Sequence, residues 1–375
     1  MPITALLLSS LFTVLLLAPQ VMAAGGYPGL EGIKLPPGFH VSYFAGDVPD
    51  ARSLALGKKG TVFVGNRTGD KVYALVDRNG DGVAEQRFTI AEDLDMPNGV
   101  AVQDGALFVA THRRILRFAN IEQHLSDPPE PEVIYDKLPA PRHHGWRYLA
   151  VGPDERLYVS IGAPCNICNE PLPFASICRL QPDGGDFEVY AEGVRNSIGF
   201  AWHPDTKAMW FTDNGRDWLG DEAPPDELNR VEKPGLHFGY PYLHGSDIVD
   251  PRFGNQRQAD RHFIAPAAEL GAHVAALGLR FYTGSMFPPE YRNRLFIAEH
   301  GSWNRSTPSG YRVVMVDIDA EGRVTDKRVF AEGWLLGVLK WGRPVDLLVM
   351  PDGAMLLSDD MKGAVYRISY RQPAK

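Results

Sequence analysis

The sequence has little positive charge for its acidity. Its 375 residues include 38 Lys and Arg but 46 Asp and Glu, which leaves a formal net charge of −8 at pH 7. A chain of this balance lacks the broad basic surface that holds the phosphates of a nucleic acid. We therefore expect no nucleic-acid partner, and an anionic cofactor would need cationic residues gathered locally.

Long apolar runs are confined to the N-terminus. The first 23 residues carry no charged side chain, and their apolar stretch, residues 5–18, is too short for a spanning helix. The small residue Ala23 suits a signal-peptidase site. We expect residues 1–23 to be a secretory signal peptide and residues 24–375 a single exported domain without a membrane span, periplasmic in a Gram-negative source.

Cysteine is scarce. Cys165, Cys168 and Cys178 are the only three, and all fall within 14 positions. An oxidising compartment favours a disulfide, with Cys165 and Cys168 as the favoured pair. A thioredoxin-like role needs an adjacent strand-to-helix unit, which the pattern lacks, and haem attachment needs a His where Asn169 stands. We expect this disulfide to serve stability rather than turnover.

Helical periodicity is absent, whereas turn residues are abundant, with 38 Gly and 30 Pro. A hairpin phrase recurs six times, as SLALGKKGTVFVG from Ser53, GVAVQDGALFVA from Gly99, YLAVGPDERLYVS from Tyr148, GFAWHPDTKAMWFT from Gly199, MFPPEYRNRLFIA from Met286 and LLVMPDGAMLLS from Leu347. Equivalent positions are 45, 50, 52, 86 and 60 residues apart, which are propeller-blade intervals. We predict an all-β, six-bladed β-propeller with an insertion near residues 220–279, in preference to a sandwich plus a separate domain.

Polar clusters flank these hairpins, where loops converge on one face of a propeller. The clusters are RHHGWR from Arg142, GVRN from Gly193, TDNGRD from Thr212 and EHGSWNR from Glu299. A loop His is a hydrogen-bonding residue or a proton acceptor, an Arg-Asn pair braces a turn or binds a ligand, and an oxygen-rich loop is solvated or holds Ca²⁺.

A separate turn, Asp77–Gly82, begins like an EF-hand loop. Its twelfth position is Phe88, where the bidentate Glu would stand. We therefore favour a tight hairpin turn over a weak surface Ca²⁺ site.

Taken together, the clusters resemble the soluble quinoprotein sugar dehydrogenases, the glucose and sorbosone dehydrogenase family, which uses pyrroloquinoline quinone (PQQ) on a six-bladed propeller. The likeness runs from about residue 35 to residue 370, and the sorbosone-dehydrogenase-like branch is the closer match. Its most specific stretches are GVRNSIGFAWHP from Gly193, TDNGRDWLGDEAPPDELN from Thr212 and HGSWNR from His300. The resemblance implies PQQ and Ca²⁺ as cofactors.

The resemblance also implies catalytic roles. His144 stands eight residues before Gly152 of a Gly-Pro-Asp turn, as the family's general base does. Arg195 and Asn196 match the family's Arg-Asn pair, with the Arg beside the reactive quinone carbonyl. We expect His143 to face away from the site, because adjacent side chains on extended chain alternate in direction.

Other matched positions concern the metal and the cofactor's carboxylates. The resemblance places the backbone carbonyls of Gly215 and Arg216 on Ca²⁺ and Arg343 on the cofactor. The glucose enzymes carry a second Arg where Val345 stands, and their cofactor-binding Lys has no obvious counterpart. The candidate cations that compensate are Arg67, His300 and Arg305.

These observations favour a PQQ- and Ca²⁺-dependent oxidoreductase acting on an aldose, sorbosone or a related sugar- or polyol-derived alcohol or aldehyde. Electrons would leave to a separate acceptor, a cytochrome or a quinone, since we find no cytochrome domain. One alternative is a Ca²⁺-dependent lactonase, which needs side-chain carboxylate and amide ligands converging on its metal. The other is a non-catalytic propeller that binds protein or glycan.

Overall fold

The computed structural model describes residues 29–257 and 260–372. Six antiparallel sheets form the blades of a β-propeller, which confirms the predicted fold. The predicted signal peptide, residues 1–23, lies outside the described residues. Among the residues described, no helix is long and apolar enough to cross a bilayer.

Strands follow one another around the ring in chain order, apart from β1 (Phe39–Ala45), which belongs to the last blade. The first blade contains β2 Ala51–Leu56, β3 Val62–Asn66, β4 Val72–Val76 and β5 Gln86–Ala91. The second contains β6 Gly99–Gln103, β7 Ala106–Ala110, β8 Ile115–Phe118 and β9 Glu132–Tyr135. The third contains β10 Leu149–Val151, β11 Leu157–Ile161, β12 Ser176–Leu180 and β13 Glu188–Glu192.

The second half of the ring carries short additional strands. The fourth blade contains β14 Phe200–Trp202, β15 Met209–Asp213, β16 Pro225–Val231 and β20 Ala268–Ala272. Between β16 and β20 the chain forms the two-residue strand β17 Leu236–His237, which pairs parallel with β13 of the third blade, and a separate small hairpin of β18 Leu243–His244 and β19 Ile248–Val249. The fifth contains β21 Ala276–Phe281, β22 Leu295–Glu299, β23 Arg312–Ile318 and β24 Val324–Glu332, followed by a small hairpin of β25 Leu335–Leu336 and β26 Leu339–Lys340. The sixth contains β27 Pro344–Val349, β28 Met355–Asp359 and β29 Ala364–Tyr370. Short 3₁₀ helices occupy Gly29–Gly32, Ile121–Gln123, Gly254–Gln256 and Pro289–Tyr291.

Burial explains why the inner strands are almost wholly apolar. Each blade is covered on both faces by its neighbours, so the strands show continuous apolar sequence, and all five residues of β3 are buried. The core is divided into clusters between adjacent blades. One such cluster joins Phe63 of the first blade to Leu107 and Val109 of the second.

The ring closes by pairing its two ends. β1 pairs antiparallel with β29, so a segment near the N-terminus supplies the outer strand of the sixth blade. Phe39 at the start of β1 is buried and makes edge contacts with four aromatic rings at centroid distances of 4.8–5.1 Å. This pairing covers the edge of β29 and joins an early segment of the chain to the last blade, which closes the ring.

Two features of the predicted repeat were wrong. The fifth hairpin phrase contains only one strand, β22, because its partner β21 lies before Met286. Phe287 in the intervening loop stacks on Tyr282 at a centroid distance of 4.1 Å, so apolar residues there anchor a loop instead of forming a strand. The proposed insertion also contains blade strands, and the true excursion lies between β16 and β20.

The predicted disulfide is confirmed. Cys165 and Cys168 are bonded, with their Cα atoms 6.1 Å apart, in the loop between β11 and β12. Cys178 is a buried free thiol on β12. Burial raises its pKa to about 12, so it stays protonated at neutral pH.

We predict that Phe39→Ala lowers the free energy of unfolding by about 3–5 kcal/mol, the usual cost of removing a buried Phe. Equilibrium urea unfolding measures the change. Val133→Ala is the matched control, because Val133 is 47% exposed and its truncation is expected to cost less than about 0.5 kcal/mol. Equal effects of the two substitutions would show that ring closure does not depend on Phe39.

Candidate active site

Loops from several blades meet around a cavity of about 330 Å³ at one end of the central channel. The contributing loops precede the first strand of a blade or follow its second strand, which places them at the same end of the sheets. Seven of the residues singled out in the sequence line this cavity, namely Arg67, His144, Arg195, Asn196, Gly215, His300 and Arg343. The repeat therefore brings together residues that are far apart in the chain.

Two of the singled-out side chains lie elsewhere. Arg305 does not line the cavity, because its guanidinium donates to the carbonyl of Asp221 at 2.8 Å and pairs with Glu222. It therefore braces two loops, and its assignment to the cofactor is corrected. The Arg216 side chain pairs with Asp250 at 2.6 Å, which leaves only its backbone carbonyl as a candidate ligand.

His144 is held as a neutral base. Its Nδ1 lies 2.8 Å from the carbonyl of Ala163, so Nδ1 carries the ring proton and donates it. Within the described residues no group hydrogen-bonds to Nε2, which leaves the lone pair of this atom available. Burial, followed by the charge of Arg195, holds the pKa of His144 well below 6.5.

His143 does not face away, contrary to the alternation argument. It lines the same cavity, and its ring centroid is 4.1 Å from that of His144. Alternation requires extended backbone, but His144 has φ +50°, in the left-handed region. Both imidazoles therefore reach the cavity, although only His144 is buried.

The loop that carries these histidines is anchored by the buried side chains of His112 and Arg147 and by the exposed pair Asp95 and Arg142. His112 Nε2 lies 3.0 Å from the carbonyl of Pro141, and Asp95 bonds both His112 and Arg142. Arg147, 1% exposed, donates to the carbonyls of His112 and Pro139. These contacts fix the loop from both sides and so limit the rotation of His144.

Arg195 lines the cavity, and hydrogen bonds to neighbouring loops fix its guanidinium. It is 4% exposed and donates to three acceptors at 2.9–3.0 Å: the carbonyl and the side-chain oxygen of Asn166 and the carbonyl of Asn214. Asp217 lies 3.4 Å away as its counter-ion. Asn166 was missed in the sequence, because it belongs to no matched motif. Asp217 lies in the matched stretch from Thr212 but was assigned no role there.

A second cationic group surrounds Asp360. Arg52 and His300 bond its carboxylate at 3.0 and 2.8 Å, and Arg67 lies 3.8 Å away. Burial alone would raise the pKa of Asp360, but His300 and the two arginines lower it. Burial lowers the pKa of His300 to about 3, so this imidazole is neutral and donates from Nε2.

Arg343 completes this side of the cavity. Its guanidinium donates to the carbonyls of His300 and Gly301 and has no carboxylate partner among the residues described. Arg52 and Arg67 thus share the Asp360 carboxylate and Arg343 is paired with none of the described carboxylates, which leaves a surplus of positive charge on this side of the cavity. Sequence analysis missed Arg52 and Asp360. Their positions were a usable signal, because Arg52 lies at the start of a blade's first strand and Asp360 directly follows a blade's second strand.

Buried carboxylates shape the opposite wall. Asp213 accepts from the backbone amides of Arg195 and Asn196, and Asp226 accepts from those of Gly215 and Ala275. Burial raises the pKa of Asp226 to about 6, and it raises the pKa of Asp213 as well. Both carboxylates lie in the matched stretch from Thr212, where the sequence analysis assigned them no individual role, and they position the loops that carry the candidate ligands.

The polar wall also contains unsatisfied oxygens. Asn196 Oδ1 is buried without a hydrogen-bond partner. Within residues 29–257 and 260–372, no donor bonds the carbonyl of Gly215 or Arg216. A Cβ on Gly215 would lie 2.9 Å from the Pro225 carbonyl, so only glycine fits this turn. Oxygens left unpaired beside a cavity fit a cation or another donor.

Comparison with solved structures identifies known proteins of the same fold. The family AA12 enzyme of Trichoderma reesei superposes with a TM-score of 0.74 at 19% identity, covering 90% of this chain and 98% of that one. The PQQ domain of pyranose dehydrogenase from Coprinopsis cinerea, in its holo form, gives 0.73 at 17%, covering 90% and 97%.

Sequence comparison defines the family. An uncharacterised protein from Borreliella burgdorferi is 35% identical over 353 residues, which is 91% of each chain. An aldose sugar dehydrogenase from Escherichia coli is 22% identical over 197 residues, 51% of this chain and 46% of that protein. The TrAA12-like family model matches residues 33–371, and the chain therefore belongs to the TrAA12-like family.

Proposed function

We propose that this protein is a PQQ- and Ca²⁺-dependent oxidoreductase that oxidises a sugar: an aldose, sorbosone or a related sugar-derived alcohol or aldehyde. One observation carries the proposal: a cavity with surplus buried positive charge lies beside a neutral histidine whose Nε2 is free. Similar folds support it, because the C. cinerea domain is a PQQ domain and a calcium structure of the T. reesei enzyme is known.

The cationic side of the cavity fits the cofactor's carboxylates. PQQ is a tricarboxylate, and arginine binds carboxylates through paired hydrogen bonds. Arg52, Arg67 and Arg343 would hold it, because among the described residues Asp360 is the one carboxylate that pairs with Arg52 and Arg67, and Arg343 donates only to main-chain carbonyls. A bound anion would offset the cost of keeping these charges away from water.

The opposite wall fits the metal. The carbonyls of Gly215 and Arg216 would hold Ca²⁺, and Asn196 Oδ1 offers a further unpaired oxygen. Ca²⁺ takes several oxygen ligands from carbonyls and carboxylates. When bound, the quinone supplies a hydride acceptor and Ca²⁺ polarises it.

The protein's own groups handle the substrate's proton and charge. His144 would accept the substrate's hydroxyl proton at Nε2 while Nδ1 stays bonded to Ala163. Arg195 would present a fixed positive charge to the oxygen that becomes more negative during the reaction. Trp303 lines the cavity with 66% of its surface exposed, and its ring offers an apolar face to a sugar.

The alternatives receive less support. A lactonase needs metal-ligating carboxylate and amide side chains converging in the cavity. Within the described residues, the group of three close His, Cys, Asp or Glu side chains is Asp77, Asp81 and Glu85, which does not line the cavity. This group lies in the turn between β4 and β5, at the opposite end of the blade from Arg67. A binding module would not require a buried neutral base.

The proposal extends to location and electron flow. The apolar N-terminal segment supports export, and a periplasmic location follows in a Gram-negative source. The reduced cofactor would pass its electrons to a separate acceptor, a cytochrome or a quinone. Residues 24–375 would form the mature enzyme.

We predict that the protein binds PQQ in the presence of Ca²⁺ and that Arg343→Ala weakens this binding by about tenfold or more, since a hydrogen bond to a charged group contributes about 1.5–3 kcal/mol. Isothermal titration calorimetry measures the affinity. Arg323→Ala is the control, because Arg323 is exposed and pairs only with Asp319 and Glu321 in a distant turn.

Arg305→Ala tests the position of Arg305 in the structure against the cofactor-binding role that the sequence resemblance gave it. We expect it to leave PQQ affinity within about threefold, because Arg305 points away from the cavity. No PQQ binding by the unmodified protein with Ca²⁺ would contradict the proposed function.

We predict that His144→Ala slows reduction of the bound quinone by about 10²–10⁴-fold, the usual contribution of a positioned base. Cofactor affinity should change little, and His143→Ala should be milder. Stopped-flow absorbance measures the reduction after mixing with sugar, and His124→Ala, an exposed surface substitution, is the control. Equal rates for the unmodified protein and His144→Ala would remove this residue from the mechanism, and a larger defect in His143→Ala would assign the base to that residue.

The same base predicts the pH dependence. Because burial lowers the pKa of His144, the neutral imidazole should persist below pH 6.5. The part of the rate of quinone reduction that depends on His144 should therefore be flat above pH 6.5 and fall only as the pH drops through the lowered pKa. This acidic limb should disappear in His144→Ala, and an inflection above pH 7 that His144→Ala removes would contradict a buried neutral base.

A further inference from the structure

One residue supplies two of the acceptors that hold Arg195. Asn166 accepts from Arg195 Nε at its backbone carbonyl and from Nη2 at Oδ1, both at 2.9 Å. Two parallel bonds from one guanidinium edge fix its plane as well as its position. The carbonyl of Asn214 accepts from Nη1, and Asp217 lies 3.4 Å from the same Nη2 that donates to Asn166. Asn166 is therefore the residue that binds a whole edge of the guanidinium and sets its angle in the cavity.

The side chain of Asn166 has no rotational freedom left. Its Oδ1 also accepts from the backbone amide of Asp217 at 2.8 Å, and its Nδ2 donates to the Asp217 carbonyl at 3.1 Å. This reciprocal pair joins a loop of the third blade to the segment that follows β15 in the fourth. A shift of Asn166 would therefore move Arg195 and the segment next to Arg216 together.

The disulfide encloses this residue. Asn166 lies inside the loop closed by Cys165 and Cys168, and the amide of Cys168 donates to the Tyr240 hydroxyl at 3.0 Å. Stabilisation by a disulfide grows with the length of the loop that it closes. A loop as short as this one therefore contributes less to global stability than a long loop would. The bond instead restricts the backbone whose carbonyl accepts from Arg195.

We propose that Asn166 is a positioning residue for Arg195 and that the Cys165–Cys168 disulfide holds it in that role. The inference rests on the proposed function for its catalytic consequence. It modifies the sequence-based expectation for the disulfide, which assigned the bond to stability rather than turnover. The disulfide itself exchanges no electrons in this role.

The first test uses the protein without cofactor. Hydrogen exchange of the Arg195 Nε–H, followed by NMR on ¹⁵N-arginine-labelled protein and assigned with Arg195→Lys, should be at least about tenfold faster in Cys165→Ser/Cys168→Ser than in the unmodified protein, because the Asn166 carbonyl is no longer held in place. Serine replacement is used instead of a thiol reductant so that the same variant can also be examined with bound quinone, which a thiol would reduce. Unchanged exchange would overturn the role of the disulfide.

The second test is a double-mutant cycle with the PQQ- and Ca²⁺-loaded enzyme. Asn166→Ala should slow quinone reduction by about 10–100-fold through misplacement of Arg195, with the KM for sugar and the PQQ affinity within about threefold. In an Arg195→Lys background, which lacks the guanidinium fork, the same substitution should cost less than about twofold. Full additivity of the two substitutions would show that Asn166 does not act through Arg195.

Controls separate positioning from damage to the fold. Asn169→Ala changes the same residue type at an exposed position one residue beyond Cys168, and it should leave the rate unchanged. The melting temperatures of Asn166→Ala and the serine variant should fall by no more than about 3 °C. A larger fall with a proportionate loss of PQQ binding would mean a structural role only.

The two proposals fail in different ways. If the unmodified enzyme with PQQ and Ca²⁺ is not reduced by any sugar, the proposed function is wrong, yet the exchange measurement still decides whether the disulfide loop holds Arg195. If sugar reduces the enzyme and Asn166→Ala matches Asn169→Ala, the function stands and the positioning role is wrong.

Discussion

Buried positive charge is the constraint on which this structure depends. Guanidinium groups are costly to remove from water, and Arg52, Arg147 and Arg195 are all at most 4% exposed. The fold compensates them with main-chain carbonyls from neighbouring loops more than with carboxylates. Those carbonyls belong to loops of different blades. The distribution of charge around the cavity therefore requires a closed ring that holds each of these loops in its place.

The propeller separates the two tasks that such a site demands. Apolar strands packed between neighbouring blades supply rigidity, and the ring is closed by the pairing of β1 with β29. The loops at one end are then free to differ in sequence and to carry charge. A cavity with cationic groups near Asp360 and oxygen acceptors near Gly215 follows from this arrangement.

Local backbone conformation decides what the loops present. The left-handed conformation of His144 turns both adjacent imidazoles toward one cavity, where extended chain would have separated them. The disulfide between Cys165 and Cys168 has a comparable effect, since it holds Asn166 against the guanidinium of Arg195. Both features act through a few residues whose geometry is set by their immediate neighbours.

The sequence by itself determined the blade number, the disulfide and seven of the residues that line the cavity, because hairpin spacing and short motifs such as Arg195–Asn196 are local properties of the chain. Tertiary structure alone decided the partners. Arg52 meets Asp360 across 308 positions, a contact that no local pattern encodes. The displacement of Arg305 from the cavity has the same cause: its acidic partners Asp221 and Glu222 lie in a loop that only folding brings beside it.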